Sequence, residues 1–276
     1  MMIIPNRLKT IFNNKEFPIK FNDIKKLNQI HDGYTNISYF LQLKNNKKYH
    51  VRIGNNSITN RVNEYAFIKA YKQEHLYKFF NIKNGDYIRS WIDYPTPSLK
   101  TLRIQKFIKA LTDEIARVHK IIPPKSFIKH NYLEFINKVK LLDKYKKIYI
   151  RLLKQYDTDK WVLSHNDLSI DNLIFYKNKV IFIDYEWARL NNPYWDIANF
   201  IRESNVKQDV VSLYSSQMKS IKNFNLRTFH AFLYISHCYA WQWAYAMKPS
   251  PKIIKYRALC NKCLAIAYDN VVKLGL

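Results

Sequence analysis

The hydrophobic pattern of this chain changes its period at Pro95–Pro97, a short segment of residues that break helices and strands. Before this segment, residues 37–43 and 48–53 are rich in β-branched and aromatic side chains and are separated by two asparagines, which is typical of a β-hairpin. After it, apolar residues recur at helical spacing over residues 104–118. The sequence therefore predicts an α+β fold, in which an N-terminal antiparallel sheet precedes a mainly helical part.

We expect the chain to form two lobes, residues 1–93 and 94–276, with the hinge at Pro95–Pro97. A length of 276 residues is sufficient for two cores. Besides the hairpin and the helix over 104–118, the periodicity predicts further elements: a helix from Asn63 to about Phe80, a strand over Tyr87–Ile92, a helix over Tyr132–Leu153, a small hairpin within residues 161–184, and apolar helices at about 227–247 and 255–273.

The chain is strongly basic, with 46 Lys and Arg residues against 21 Asp and Glu residues and a formal net charge of +25. Such an excess can indicate a surface that binds nucleic acid or an anionic membrane. Here most of it is lysine spread along the chain, together with abundant Asn, Ile and Tyr and only 4 Gly, a composition expected of an AT-rich genome. We therefore expect no specific nucleic-acid partner, but a general attraction of anions such as ATP.

The sequence contains no signal for a membrane span or a disulfide framework. It has no uninterrupted run of about 18 apolar residues, and its apolar start is too short for a signal-peptide core. The three cysteines are Cys238, Cys260 and Cys263, and the CxxC formed by the last two has no second ligand pair at metal spacing nearby. We expect a cytoplasmic protein without membrane insertion, as a monomer or a homodimer, in which the cysteines pack in the interior.

The most informative segment is His165–Asn172, with the sequence HNDLSIDN, followed by Asp184 at the end of the apolar run VIFID. Phosphoryl transfer needs a carboxylate that orients or deprotonates the attacking hydroxyl, and oxygen ligands that bind magnesium between the phosphates. An aspartate with an asparagine five residues later, and a second aspartate after a hairpin, provides these groups. Each residue alone could cap a turn or end a strand, but the combined spacing predicts a phosphoryl-transfer site.

With these motifs, the chain resembles the choline kinase branch of the aminoglycoside phosphotransferase superfamily, particularly the bacterial choline kinases, over most of residues 30–270. The resemblance implies a protein-kinase-like two-lobed fold and transfer of phosphate from ATP to an alcohol. It also implies that Asp167 is the catalytic base and that Asn172 and Asp184 bind Mg²⁺.

Three further positions in the same region match this family. The resemblance implies that Ser169 faces the reacting groups. It also implies that Asp196, within Asp196-Ile197-Ala198-Asn199, supports the catalytic loop. We include His165, the first residue of the motif, among the supporting residues.

The nucleotide-binding groups implied by the resemblance lie in the first hairpin and the helix after it. Gly33, Thr35 and Asn36 occupy the place of the nucleotide loop, although one glycine is few compared with the Gly-rich loop of protein kinases. Arg52 matches the basic residue that contacts the α and β phosphates, and Glu64 matches the helix carboxylate that pairs with it. Without the resemblance, Arg52 could be a solvated strand arginine and Glu64 an exposed helix residue.

The alcohol is predicted from aromatic residues in the second half of the chain. A quaternary ammonium cannot donate hydrogen bonds, so proteins bind it with aromatic faces and a nearby carboxylate. In the family that the chain resembles, residues matching Trp187 and Glu203 line the choline pocket, and Trp241, Trp243 and Tyr256 are further candidates. Because Trp241 and Trp243 are two residues apart, they lie on different faces of a helix, and which of them faces the pocket stays open.

Choline is therefore the favoured substrate, with ethanolamine as a possible second one. A thiamine kinase or another small-alcohol kinase of the same superfamily is the enzymatic alternative, and an inactive ligand-binding pseudokinase is the non-enzymatic one. An aminoglycoside is disfavoured because it needs an acidic pocket, and only Asp209 and Asp269 follow Glu203 as carboxylates.

Overall fold

The computed structural model describes residues 5–32, 36–55, 59–93, 96–125, 127–158, 160–219 and 224–276. The chain forms two compact units. The first comprises Met1–Tyr94, Pro124–Phe127 and Tyr185–Ala188, and the second comprises Pro95–Pro123, Ile128–Asp184 and Arg189–Leu276.

The first unit contains a five-stranded sheet. Its strands are β1 (Ile24–Asp32), β2 (Ile37–Leu43), β3 (Lys48–Ile53), β4 (Tyr77–Phe80) and β5 (Tyr87–Ser90). The spatial order is β1-β2-β3-β5-β4, and every neighbouring pair is antiparallel. The predicted hairpin is β2–β3, in which Ile37 pairs with Ile53 and Asn46 takes the positive φ of 63° that its turn requires. The prediction of an N-terminal antiparallel sheet is thus confirmed.

Two helices belong to the first unit, α1 (Asn6–Phe12) and α2 (Arg61–Ala70). Leu8, Ile11 and Phe12 of α1 are buried in one cluster with Leu41 and Val51 of the sheet. Burial of these side chains explains why a helix of only seven residues is stable, since short helices depend on packing of their apolar face.

The predicted helix from Asn63 to about Phe80 is wrong in its second half. Helix α2 ends at Ala70, and Lys72 has a left-handed φ of 60°, which a continuing helix does not allow. Residues 77–80 form β4 instead. The rings of Tyr77 and Phe80 pack on Tyr87 of β5, with centroid distances of 5.3 and 6.2 Å, so contacts across the sheet override the local helical spacing.

The second unit is mainly helical. Its helices are α3 (Gln105–His119), α4 (Asp143–Tyr156), α5 (Trp195–Glu203), α6 (Gln208–Met218), α7 (Leu226–Ala246) and α8 (Pro251–Lys273). Two small antiparallel sheets complete it: β6 (Val162–Ser164) with β9 (Arg189–Asn191), and β7 (Leu173–Tyr176) with β8 (Lys179–Phe182). The main core contains Tyr149 of α4, Trp195 of α5, Phe232 of α7 and Leu264 of α8.

Two helices in the second unit begin well away from their predicted starts. Residues 132–138 form turns, and α4 begins only at Asp143. Helix α8 begins at Pro251, four residues before the predicted start, because Ser250 accepts a hydrogen bond from the backbone N–H of Ile253 and Pro251 favours a first helical turn. Among the described residues, no helix is both long enough and apolar enough to cross a membrane.

Candidate active site

The motif around Asp167 forms a loop between β6 and β7 in the second unit. The β7–β8 hairpin then turns through Lys177 and Asn178, which have positive φ values of 48° and 59°. At its far end, the N–H of Ile183 donates to the carbonyl of Asn172 at 3.0 Å. The hairpin therefore returns the chain to the loop that contains Asp167 immediately before Asp184.

Asp167 and Asn172 are in direct contact. The Nδ2 of Asn172 donates to the carbonyl oxygen of Asp167 at 2.7 Å and lies 3.2 Å from its Oδ2. Both side chains are half-buried, as is that of Asp184. Because the amide nitrogen of Asn172 faces Asp167, its Oδ1 faces away from that carboxylate.

Asp196, on α5, fixes the start of this loop. Its Oδ1 accepts from the Ser164 hydroxyl at 2.7 Å and from the N–H of Asn166 at 2.9 Å. Its Oδ2 accepts from the N–H of His165 at 3.1 Å and from Nε2 of His119 at 3.2 Å. Burial by itself would raise the pKa of Asp196, but the bonds from His119 and Ser164 outweigh burial and lower this pKa below its ordinary value. Asp196 is thus a buried carboxylate that binds two consecutive backbone N–H groups of the loop.

His165 connects the loop to the segment before Asp184. Burial lowers the pKa of His165, so its imidazole is neutral. Its Nε2 lies 3.0 Å from the carbonyl of Ile183, and its Nδ1 accepts from the N–H of Asp167 at 3.3 Å. A carbonyl can only accept, so the proton is on Nε2. In this tautomer His165 links the backbone of Asp167 to the residue that precedes Asp184.

Asn166 has a positive φ of 66°, which costs a residue with a side chain about 1 kcal/mol. Contacts to this residue compensate for that cost. The indole N–H of Trp195 donates to its carbonyl at 3.1 Å, and Asn191 donates to its side-chain oxygen. Two residues further along the loop, Asn199 of α5 donates to the carbonyl of Leu168 at 3.0 Å. The sequence patterns do not predict these roles of Trp195, Asn191 and Asn199, although Asn199 lies within the DIAN segment that contains Asp196.

In the first unit, Arg52 and Glu64 form a buried ion pair, and each is no more than 2% exposed. The Nη2 of Arg52 lies 2.7 and 2.8 Å from the two carboxylate oxygens of Glu64. Its Nε donates to the carbonyl of Gly85 at 2.9 Å, and its guanidinium lies 4.3 Å from the ring centroid of Tyr87. Arg52 is therefore not a solvated strand arginine, and Glu64 is not an exposed helix residue.

The same unit contains a second buried pair that sequence analysis missed. The Nη1 of Arg61 lies 2.8 Å from Oε2 of Glu64 and 3.0 Å from Oε2 of Glu186. Asn36 joins the network, because its Oδ1 accepts from Arg61 at 2.8 Å and its Nδ2 donates to Glu186 at 2.7 Å. The spacing of three residues between Arg61 and Glu64 was an available signal, since such residues are neighbours on a helix.

Gly33 and Thr35 lie outside the described residues. Trp187 belongs to the segment Tyr185–Ala188 of the first unit and is half-buried. Ser169 of the second unit is also half-buried, and its carbonyl accepts from the N–H of Asn172 at 3.2 Å.

Three of the predicted substrate-binding residues meet in the second unit. The hydroxyl of Tyr256 donates to Oε1 of Glu203 at 2.7 Å, and the ring of Trp243 packs edge-on against that of Tyr256 at a centroid distance of 5.9 Å. The neighbouring Arg202 forms an ion pair with Glu203 and donates to the hydroxyl of Tyr256 at 3.0 Å. The group therefore combines two aromatic rings with a carboxylate that already accepts hydrogen bonds.

Trp241 has different neighbours. Its ring stacks on Tyr245 at 4.1 Å, and its indole N–H donates to Asn261 at 2.7 Å. This agrees with the expectation that Trp241 and Trp243 lie on different faces of α7. Of the two, Trp243 is the one in contact with Tyr256.

Comparison with known proteins identifies the family. The profile of the choline/ethanolamine kinase family matches residues 27–243. This chain belongs to the choline/ethanolamine kinase family. An uncharacterized MG356 homolog from Mycoplasma pneumoniae is 31% identical over 252 residues, which cover 87% of this chain and 86% of the relative.

Solved structures show that this kinase has the protein-kinase-like fold. The choline kinase LicA from Streptococcus pneumoniae superposes with a TM-score of 0.75 at 17% identity, over 94% of this chain and 98% of LicA. An ethanolamine kinase from Plasmodium vivax gives a TM-score of 0.71 at 17% identity, over 94% of this chain and 86% of that protein. The predicted fold is confirmed, as is the prediction of a phosphotransferase with an alcohol group as acceptor.

Proposed function

We propose that this kinase transfers the γ-phosphate of ATP to the hydroxyl of choline, giving phosphocholine. Its family, whose members act on choline or ethanolamine, supports the class of reaction. Use of an adenine nucleotide is supported by a structure of LicA in complex with AMP, which superposes with a TM-score of 0.69 at 16% identity over 88% of this chain. In this proposal residues 1–93 bind the nucleotide and residues 94–276 contribute the catalytic and substrate-binding groups.

Asp167 is the proposed base, and its contact with Asn172 is the observation on which the mechanism rests. The Nδ2 of Asn172, 3.2 Å from Oδ2 of Asp167, restricts the rotation of that carboxylate. The loop backbone is fixed by Asp196 and His165. A carboxylate oriented in this way can accept the proton of the alcohol as its oxygen attacks phosphorus, without reorganisation during the reaction.

Asn172 and Asp184 are the proposed ligands of Mg²⁺. Among the described residues, no group of three or more His, Cys, Asp or Glu side chains could bind a metal by itself. Magnesium in kinases uses one or two carboxylates together with phosphate oxygens, so a single carboxylate and one amide oxygen fit the ion. The Oδ1 of Asn172, which faces away from Asp167, is a suitable donor. When bound, the ion would neutralise charge on the phosphates.

Arg52 is the proposed contact of the α and β phosphates, with Glu64 as its partner. A cation that pairs with a buried carboxylate has a fixed position, and the additional bond to Gly85 further restricts it. Asn36, Gly33 and Thr35 remain proposed contributors to the nucleotide loop.

The group formed by Glu203, Tyr256 and Trp243 supports choline over ethanolamine. Burial, and then the negative charge of Glu203, raises the pKa of Tyr256, so its phenol stays protonated and donates to that carboxylate. Glu203 also pairs with Arg202, which leaves it less capacity to accept the N–H groups of a primary ammonium. A quaternary ammonium donates no hydrogen bonds, so it does not need the acceptor sites that Tyr256 and Arg202 already occupy, and the rings of Trp243 and Tyr256 offer it aromatic faces. Trp187, Ser169 and Trp241 remain proposed further contacts.

The test of the substrate is magnesium-dependent release of ADP from ATP with choline, ethanolamine, thiamine or an aminoglycoside, each added alone. We expect the highest kcat/KM with choline. A higher kcat/KM with ethanolamine or thiamine would reject choline as the substrate and leave the kinase assignment intact.

The test of the mechanism compares Asp167→Asn with Asp171→Asn. Both residues lie in the same loop, and Asp171 is exposed. Loss of a general base typically lowers the rate by about 10² to 10⁴-fold, so we expect kcat of Asp167→Asn to fall in this range and Asp171→Asn to stay near wild type. Near-normal kcat for Asp167→Asn would refute its role as the base.

A further inference from the structure

A cavity of about 200 Å³ lies in the second unit, between the end of α5, the first half of α7 and the second half of α8. Its polar lining includes Arg202, Lys207, His230 and His237, and its apolar lining includes Leu233 and Val271. None of the lining residues that the structure describes is acidic. The charged side chains that line this cavity, Arg202 and Lys207, are therefore both basic, and Glu203 pairs with Arg202 from outside the lining.

Arg202 contributes a buried cation with unused hydrogen-bonding capacity. Its side chain is only 9% exposed. The two terminal nitrogens bind Glu203, Tyr256 and Asn199, but Nε has no hydrogen-bond partner among the described residues. A buried N–H of a charged group that has no acceptor is unfavourable, because it has lost its hydrogen bond to water. Arg202 also lines the cavity, so an anion there would lie next to its positive charge.

The other polar residues select the charge of a ligand. Burial, and then the positive charge of Arg202, lowers the pKa of His237 to about 3, so this imidazole is neutral and can donate a hydrogen bond without adding charge. Burial also lowers the pKa of His230. The exposed Lys207 adds a second positive charge at the cavity. A cationic ligand would meet two like charges here and no carboxylate from the described lining.

The size and the apolar lining limit the ligand further. Drug-sized ligands occupy pockets of about 300 Å³ or more, so this cavity accommodates only a small molecule. The side chains of Leu233 and Val271 would contact apolar carbon atoms, whereas a fully hydrated inorganic ion gains nothing from them.

We propose that this cavity binds a small organic anion, whose carboxylate or phosphate contacts Arg202 and Lys207 and whose short apolar chain lies against Leu233 and Val271. Asp167, Asn172 and Asp184 do not line this cavity, but through Arg202 the cavity borders the group formed by Glu203, Tyr256 and Trp243. It shares Arg202 with Glu203, so a bound anion would compete with that carboxylate for the guanidinium.

The first experiment measures binding to the wild-type chain by isothermal titration calorimetry with hexanoate, hexyl phosphate and hexylammonium. The three probes share the same chain and differ in the charged group. We expect at least one anion to bind at least tenfold more tightly than hexylammonium. Whichever of hexanoate and hexyl phosphate binds more tightly shows whether the ligand carries a carboxylate or a phosphate. Equal affinity for anion and cation, or no binding of either anion, would overturn the proposal.

The second experiment locates the site with three variants. Ala267→Leu adds volume at the cavity wall, Lys207→Gln removes an exposed charge, and Lys146→Gln removes an exposed charge on α4 as the matched control. We expect Ala267→Leu to abolish anion binding, Lys207→Gln to weaken it several-fold and Lys146→Gln to leave it unchanged. If Ala267→Leu does not fold, the comparison of Lys207→Gln with Lys146→Gln still tests where the anion binds. Equal anion affinity in those two variants would place the anion elsewhere.

Discussion

Replacement of Asp196 by asparagine tests how the loop that contains Asp167 is fixed. In the wild type each carboxylate oxygen accepts two hydrogen bonds, one from a side chain and one from the backbone of the loop. An asparagine of the same shape has one oxygen and one NH₂ group, so two of the four donors then face another donor. The Ser164 hydroxyl can rotate and His119 can change its tautomer, but the N–H of His165 or of Asn166 cannot adapt.

The expected loss of stability follows from these bonds. One orphaned backbone N–H costs about 1 to 3 kcal/mol. The bonds that remain change from charge-assisted to neutral, which weakens each by about 1 kcal/mol. We therefore expect Asp196→Asn to lower the free energy of unfolding by about 4 kcal/mol at pH 7. We also expect a lower kcat, because the backbone next to Asp167 loses its fixed position.

The assay is urea denaturation followed by fluorescence and circular dichroism. Asp209→Asn is the matched control, because Asp209 is 62% exposed and pairs with the exposed Arg103, and such surface pairs contribute about 0 to 1 kcal/mol. A loss below about 1 kcal/mol for Asp196→Asn, or a loss no larger than that of Asp209→Asn, would refute the argument.

The loss of stability caused by Asp196→Asn also depends on pH, and its direction follows from the pKa of Asp196. The pKa of Asp196 is lower in the folded chain than its ordinary value of 3.8. Its contribution to stability is therefore complete above pH values near 3.8 and is lost as the pH falls through the folded-state pKa. We expect the difference in stability between wild type and Asp196→Asn to be largest near neutral pH and to shrink under strongly acidic conditions.

Two further substitutions have matched controls within the chain. In thermal unfolding, Gly85→Ala should lower the melting temperature by more than Gly275→Ala. Both glycines have a positive φ, but only at Gly85 would an added Cβ overlap Arg61, at 2.6 Å from its Cδ. Equal decreases in melting temperature would contradict this expectation. In steady-state assays of ADP release, Trp243→Ala should raise the KM for choline about tenfold, whereas Trp241→Ala should change this KM little. Of the two tryptophans, Trp243 is the one that contacts Tyr256. A larger effect of Trp241→Ala would show that Trp241 binds the substrate.

Local patterns were sufficient for much of the fold. The hairpin at residues 37–53 is rich in β-branched and aromatic residues, helix α3 has a strong helical period, and α7 is a long apolar segment. The structure confirms all three with boundaries that differ by at most one residue. The segment 71–80 was not predictable in this way, since its aromatic residues fit both a helix and a strand, and only pairing with β5 decides between them. Strands β6 and β9 have three residues each, too few for a period to be recognised.

For the candidate site, the sequence by itself predicted the proposed reacting groups. Asp167, Asn172 and Asp184 were identifiable because phosphoryl transfer needs particular side chains at a particular spacing, which is a property of the chain order. The tertiary structure alone decided the partners of the residues that surround these groups or pair with the proposed phosphate contact. Asn166 receives its hydrogen bonds from Trp195 and Asn191, and Glu64 shares its charge with Arg61 as well as with Arg52. Such contacts join residues that are distant along the chain, and burial makes them obligatory because an unpaired polar group in the interior costs free energy.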